Sequence, residues 1–294
     1  MERLIALYNT ASPSGNEKSM MRLIRTELER MGVRFTRDKT GNIYATKGNA
    51  KTYPCIIAHT DEVHHRKSGT YSAHIVDGSF VVGYDQRKKR ITGIGADDKN
   101  GIWICLKCLE DFKVMKCAFF VREETGCIGS NSADMAFFTD CRFVLQCDRK
   151  GNGDLVTRVA GQELCSDKFL AGITPEKYGY EVTTGKHTDV YALKRKGLSV
   201  SCVNISCGYY EPHTNHEYTV LDDLYKCYRF VRHIIRHHKE TSRHKPATER
   251  RPVPEYYGLY PWNGYTREDF ARYRRALRTD MDGKAKGTDK KSFI

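Results

Sequence analysis

Ile91-Thr-Gly-Ile-Gly-Ala-Asp-Asp-Lys-Asn-Gly101 is the stretch on which the reading of the chain turns. A β-branched run (Ile91, Thr92, Ile94) ends at Gly95, and two carboxylates follow at Asp97 and Asp98. Behind them the apolar pattern from Ile102 to Phe112 has helical spacing. The order predicts a strand that delivers two acids to its C-terminal tip, with a helix starting directly after. Strand tips are where open α/β sheets place ligands, and carboxylates are hard oxygen donors suited to divalent cations. A helix cap beside a solvated acid has the same local signature, so the stretch has to be read with its neighbours.

Upstream, Lys18 to Met31 carries an amphipathic helical pattern that stops at Gly32, after a first short helix from Met1 to Tyr8. Strands are expected at 33–36, 42–47, 53–59, 71–76 and 79–84, the last two joined by the hairpin signal Asp77-Gly78. Downstream, strands are expected at 116–122, 141–147, 155–159 and 198–206, and helices at 163–171, from Asp189 to Leu193, and at 221–238. Strands alternating with helices predict an α/β fold: a central, mixed but mostly parallel sheet with helices on both faces. The pattern is continuous over residues 1–238, which reads as one catalytic domain. Residues 239–294 form a basic C-terminal tail, rich in Pro, Gly and aromatics between Pro252 and Tyr265 and expected to be partly disordered.

The 294 residues hold 39% hydrophobic and 29% charged side chains, and no run is long and apolar enough for a membrane span. The N-terminus lacks the apolar core of a signal peptide. Eleven cysteines, an odd number scattered through apolar segments, predict buried reduced thiols and a cytoplasmic protein rather than a disulfide framework. The net charge of +13 is concentrated toward the C-terminus and around Arg87–Arg90. It reads first as solubility and second as a weak attraction for anionic partners such as nucleic acid.

Four short apolar strands each end on an acid or imidazole: His59-Thr-Asp61, Asp97-Asp98, Glu123-Glu124 and Asp148. His213 follows a fifth strand after a short loop. If all these ends open on one edge of a parallel sheet, several carboxylates meet there and could not stay ionised without compensation. One or two divalent cations resolve the conflict.

The order His-Thr-Asp, Gly-Ala-Asp-Asp-Lys-x-Gly, Glu-Glu-x-Gly, a strand-end Asp and His213-x-x-x-Glu217 resembles the two-metal zinc exopeptidases of the peptidase T, carboxypeptidase G and acetylornithine deacetylase group. Gly185-Lys-His-Thr-Asp-Val190 and Val203 to Thr214 are similar to late segments of tripeptidases and co-catalytic zinc aminopeptidases. The resemblance covers residues 1–238. It implies that His59, Asp97 and Asp148 hold one metal and that Asp97, Glu124 and His213 hold the other, with Asp97 bridging. Zinc is the default ion, with cobalt or manganese admitted by the mixed ligands. Asp61 would accept the other ring N–H of His59, and Glu123 would be the general base on a metal-bridging water. His187, Asp189, Tyr209 and Tyr210 are the residues implied near substrate.

His216 competes with His213, which the His-x-x-x-Glu spacing favours. His64 and His65 read as loop residues, and His233, His237 and His238 as a solvated helix face. Compared with the carboxypeptidase-like members, the interval from Asp148 to His213 is too short for the usual lid domain, so none is expected. A strand-end Asp148, where deacylases often carry Glu, points to aminopeptidase or di- and tripeptidase action on short peptides. The alternatives are an amidase or deacylase of N-acyl amino acids on the same core, and a protein whose basic tail binds nucleic acid or another partner.

Overall fold

In the computed structural model, which describes residues 1–245, the chain opens with α1 (Glu2–Tyr8) and α2 (Lys18–Arg30). α2 is helical because Met20, Met21, Ile24 and Leu28 recur on one face, and that face is buried. β1 (Arg34–Arg37) and β2 (Ile43–Lys47) form a hairpin, and β3 (Tyr53–His59) follows. Next come β4 (Tyr71–Val76), β5 (Phe80–Asp85) and β6 (Arg90–Thr92). Asp77 and Gly78 turn the chain between β4 and β5 with φ of 49° and 67°, the left-handed backbone this pair tolerates. The chain continues through α3 (Ala96–Asp111), β7 (Met115–Phe120), α4 (Ile128–Asn131), β8 (Cys141–Arg149), β9 (Asp154–Val159) and β10 (Gln162–Glu163). It ends its regular part with α5 (Asp167–Ile173), β11 (Glu181–Gly185), α6 (Asp189–Arg195), β12 (Cys202–Ser206), β13 (Tyr209–Tyr210), β14 (Tyr218–Val220) and α7 (Leu221–His237).

The central sheet has the order β1-β2-β7-β3-β8-β12-β9-β10, with β11 also on β9. Its middle is parallel (β7–β3, β3–β8, β8–β12) and its flanks are antiparallel, apart from β11, which runs parallel to β9. β3 is buried along its whole length. Its side chains alternate, Cys55 and Ile57 facing one apolar cluster and Ile56 and Ala58 the other. Apolar residues of α1, α2, α3, α5 and α7 cover one face, and those of α6 cover the other. The α/β architecture is therefore the expected one. Cysteines fill both clusters, and all eleven are buried and unpaired. No helix among the described residues is long and apolar enough to cross a membrane.

The quoted stretch departs from expectation. β6 is only three residues long and does not belong to the central sheet: it pairs with β5 in a second, antiparallel sheet of order β13-β14-β5-β4. Ile91 is 48% exposed there. A β-branched run specifies a strand but not its partner, so the sequence could not say which sheet would take it. The acids are reached by a crossing at Gly93–Gly95. The segment expected as helix from 163 instead starts at Asp167, where Ser166 accepts the Phe169 N–H, because Gln162 and Glu163 are drawn into a hairpin with β9. β12 begins at Cys202 rather than 198. Past α7, the Ser201 N–H donates to Ser242 and the His244 N–H to Ser199, and His238 meets Phe169 edge to face with centroids 5.0 Å apart. Chain beyond the expected boundary at 238 thus still packs on the body. The readings of residues 246–294 lie outside the described residues.

Candidate metal centre

Each acidic or imidazole end is delivered by a different element. His59 closes β3, Glu123 and Glu124 follow β7, and Asp148 sits within the end of β8, one residue inside the strand rather than beyond it. β3, β7 and β8 are parallel neighbours, so these ends share one edge. Asp97 arrives at the start of α3 and His213 from the loop between β13 and β14, so both come from connections of the second sheet.

The two oxygens of Asp97 face different imidazoles. Oδ1 is 3.0 Å from His59 Nε2, and Oδ2 is 3.3 Å from His213 Nε2. His59 Nε2 also lies 3.7 Å from Asp148 Oδ1, and His213 Nε2 lies 3.0 Å from Glu124 Oε1. All five residues expected as ligands are brought together. His59 is held from behind: its Nδ1 is 3.1 Å from the Asp61 carbonyl and 3.4 Å from that residue's Oδ1. The Asp61 carboxylate itself accepts the N–H groups of Glu123 (2.8 Å) and Glu124 (3.2 Å) and the Ser14 hydroxyl. It shapes the Glu-Glu turn as much as it orients the imidazole. Asp98 is buried and committed, with Oδ2 accepting the His59 N–H and Oδ1 the Gly101 N–H. It fixes the turn, and Gly101 leaves it room: a Cβ there would overlap the Asp98 carboxylate.

Burial pushes the carboxyls of Glu123, Glu124 and Asp98 up, and that of Asp148 up to about 8, because each also faces neighbouring carboxylates. Asp97 is opposed by burial too, but the His213 and His59 imidazoles outweigh it and hold it well below the carboxylate range. Burial opposes charge on His213 as well, yet the Glu124 and Asp97 carboxylates raise it to about 12. Burial likewise opposes charge on His59, yet the Asp148, Asp61 and Asp97 carboxylates raise it well above the ordinary imidazole value. Two imidazoles and three carboxylates with donor atoms converging this closely fit divalent cations of the zinc, cobalt and manganese type. His59, Asp97 and Glu124 offer donor atoms within 4.8 Å of one another, as do His59, Asp98 and Asp148.

Of the four residues expected near substrate, Tyr209 puts its hydroxyl 3.3 Å from Asp148 Oδ1. Tyr210 points elsewhere, to Asp223 at 2.6 Å, and its ring stacks on Tyr218. Asp189 is fully buried, accepting the Ser130 hydroxyl and facing Gln146 Nε2 at 3.4 Å. Desolvation raises it to about 6. His187 is half-buried with its ring against Tyr191, and burial lowers it to about 4. His64 is no idle loop residue: its Nε2 lies 3.1 Å from Glu217 Oε2.

Sequence reasoning passed over Gln146, which is buried and donates to Asp148 Oδ2 at 2.9 Å. Its signal was a lone amide in the apolar run Val144-Leu145-Gln146-Cys147, two residues before a strand-end acid. It also passed over Glu62 and its ion pair with Lys99 (2.9 Å), which lies under the Gly95 turn.

No protein-family model matches the chain, and neither does any curated protein sequence. Solved structures do. Aminopeptidase PepT from Bacillus cereus aligns over 80% of this chain and 96% of its own, with a TM-score of 0.64 and 15% identity. A tripeptidase from Staphylococcus aureus gives 0.63 at 13% identity, with the same coverage of both chains. A TET aminopeptidase from a marine sediment Thaumarchaeota archaeon gives 0.63 at 14% identity, over 80% of this chain and 96% of its own. At such identities the likeness is one of fold. The described chain has the α/β architecture shared by these peptidases.

Proposed function

We propose that the chain is a dinuclear metallopeptidase that releases residues from the amino end of short peptides, as an aminopeptidase or a di- or tripeptidase. The observation that carries this reading is Asp97, whose two oxygens each face a different imidazole at 3.0 and 3.3 Å. A carboxylate placed so is a bridging ligand in waiting. His59, Asp97 and Asp148 would hold one ion, and Asp97, Glu124 and His213 the other, with zinc the default and cobalt or manganese compatible. Bound there, the ions would polarise the scissile carbonyl and acidify a water. Glu123, half-buried beside the ligands and raised by burial, would take the proton at its carboxylate and return it to the leaving amine. Asp61 holds the backbone of Glu123 and Glu124, and Tyr209 steadies Asp148. His187 is assigned to the substrate side. Between Asp148 and His213 the chain is spent on β9 to β13 with α5 and α6, which supports a catalytic core without a lid domain. Eleven buried unpaired thiols support a reducing, cytoplasmic setting.

The test is metal analysis of the purified chain with hydrolysis of di- and tripeptides, set against N-acetyl amino acids. Two ions per chain and cleavage of free-amine peptides are expected. Glu123→Gln should keep both ions and lose about a hundredfold or more in kcat. Undiminished turnover in that variant would refute the role of Glu123, and cleavage confined to N-acyl substrates would make the chain an amidase.

A further inference from the structure

We infer that Gln146 is a positioning residue for the Asp148 ion position alone, whereas Glu217 positions the bridging Asp97 and the His213 loop together, so that the Asp148 ion can be weakened without the other. The inference rests on the metallopeptidase reading and assigns positioning residues within it.

Gln146 and Asp148 are two apart in β8 and therefore share a face. The Gln146 amide has only one workable orientation. Its Oε1 accepts the Val190 N–H at 3.0 Å and the Thr188 hydroxyl at 2.6 Å, and a backbone N–H can only donate. Nε2 must then donate, at 2.9 Å to Asp148 Oδ2 and more weakly toward Asp189 Oδ2. With Oδ2 occupied, Asp148 presents Oδ1 toward His59. Asn204 pins the main chain of Asp148 from both sides, accepting its N–H at 2.9 Å and donating to its carbonyl at 2.8 Å. All of this support comes from the central sheet and the start of α6.

Glu217 is also buried, four residues after His213. Its Oε2 accepts the N–H groups of Ile94 (3.1 Å) and Gly95 (2.6 Å), and Oε1 accepts that of Asp97 (3.2 Å). His64 Nε2 completes the set at 3.1 Å. One carboxylate thereby ties the His213 loop to the turn that carries Asp97, and fixes how closely His213 approaches that ligand. The two supports share no side chain, and only that of Glu217 reaches the shared ligand Asp97, so their effects should differ. Loss of such an outer partner weakens its own ion by about 10–100-fold.

The experiment titrates full-length wild type, Gln146→Met and Glu217→Gln with Co²⁺ against a chelating dye. It records stoichiometry, the two affinities and the Co²⁺ absorption spectrum, with Asp148→Asn and His213→Ala as references. Gln146→Met should keep one ion within about threefold of wild type, lose about 10–100-fold at the other, and match the Asp148→Asn spectrum. Glu217→Gln should weaken both ions, because it loosens the turn of the shared Asp97 together with the His213 loop. Glu217→Asp, which keeps the charge and shortens the reach, replaces it should the Gln variant not fold. Parallel loss of both ions in Gln146→Met, loss confined to one ion in Glu217→Gln, or wild-type affinity for both in either variant, overturns the inference. So does a fall in the metal-free thermal midpoint of Gln146→Met with no separation of the ions. Wild type that binds no divalent ion would sink the metallopeptidase reading itself, a different outcome.

Discussion

Gly95→Ala tests the turn beneath the bridging carboxylate without any assumption about activity. Gly95 has φ of 64°, in the left-handed region. A Cβ there would overlap Glu62 Oε2 and lie 2.9 Å from Lys99 Nζ. Both partners are buried and tied down: Glu62 accepts from Lys99 at 2.9 Å, from Arg66 at 2.6 Å and from the Ser12 N–H at 3.0 Å. The backbone conformation alone costs about 1–2 kcal/mol for a non-glycine residue. Prising apart a buried ion pair costs about 3–5 kcal/mol more. The expected loss is therefore about 4–7 kcal/mol, comparable with the whole stability of a typical domain. In a body of this size that is a fall of roughly 10–25 °C in the thermal midpoint, read by circular dichroism. Gly161→Ala is the control: φ is 80° but nothing lies within 4 Å of its Cβ, so only the backbone cost of about 1–2 kcal/mol applies. Equal midpoints for the two variants would show that the Glu62–Lys99 pair does not fill the space under the turn.

Asp97→Ala should bind neither ion tightly, whereas Asp98→Ala should keep both and lose about 1–3 kcal/mol for each N–H of His59 and Gly101 left unpaired; metal analysis and urea unfolding separate the two. Burial opposes the charge on Glu62, but Lys99 and Arg66 outweigh it and hold its carboxyl down at about 2, against an ordinary 4.5. A depressed carboxyl contributes stability that is complete above pH 4.5 and is lost as pH falls toward 2. Glu62→Gln should flatten that part of the stability profile, and an unchanged acid limb would contradict the assignment. Removal of residues 246–294 should leave peptide hydrolysis intact. Its loss, or loss of salt-sensitive nucleic-acid binding with hydrolysis unaffected, would give the tail a function of its own.

What the sequence made legible follows from how local each feature is. The ends His59, Glu124 and Asp148 could be read because each closes a short buried strand, and parallel pairing of those strands suffices to gather them. Asp97 was recognisable from its glycines and paired acids, although its strand lies in the other sheet. Pairing partners depend on the whole chain, and three residues with Ile91 half exposed carry no mark of theirs. Glu217 was legible through its spacing from His213, but its partners were not. Its work is done on backbone N–H groups, which every residue but proline possesses and no motif records. Gln146 was hidden for a similar reason: its value lies in an orientation fixed by Val190 and Thr188, more than forty residues away.

The eleven buried thiols turn the chain into its own folding reporter. They sit in β3, α3, β7, β8, β12 and α7 and in the connections at Cys127, Cys165 and Cys207, so both apolar clusters and the rim of the site each carry natural probes. A thiol reagent can reach them only through openings of the structure. Pulsed alkylation followed by peptide mapping would time those openings layer by layer, in the unaltered protein. Cys127, whose Sγ lies 3.3 Å from Glu123 Oε1, would time the breathing of the site itself.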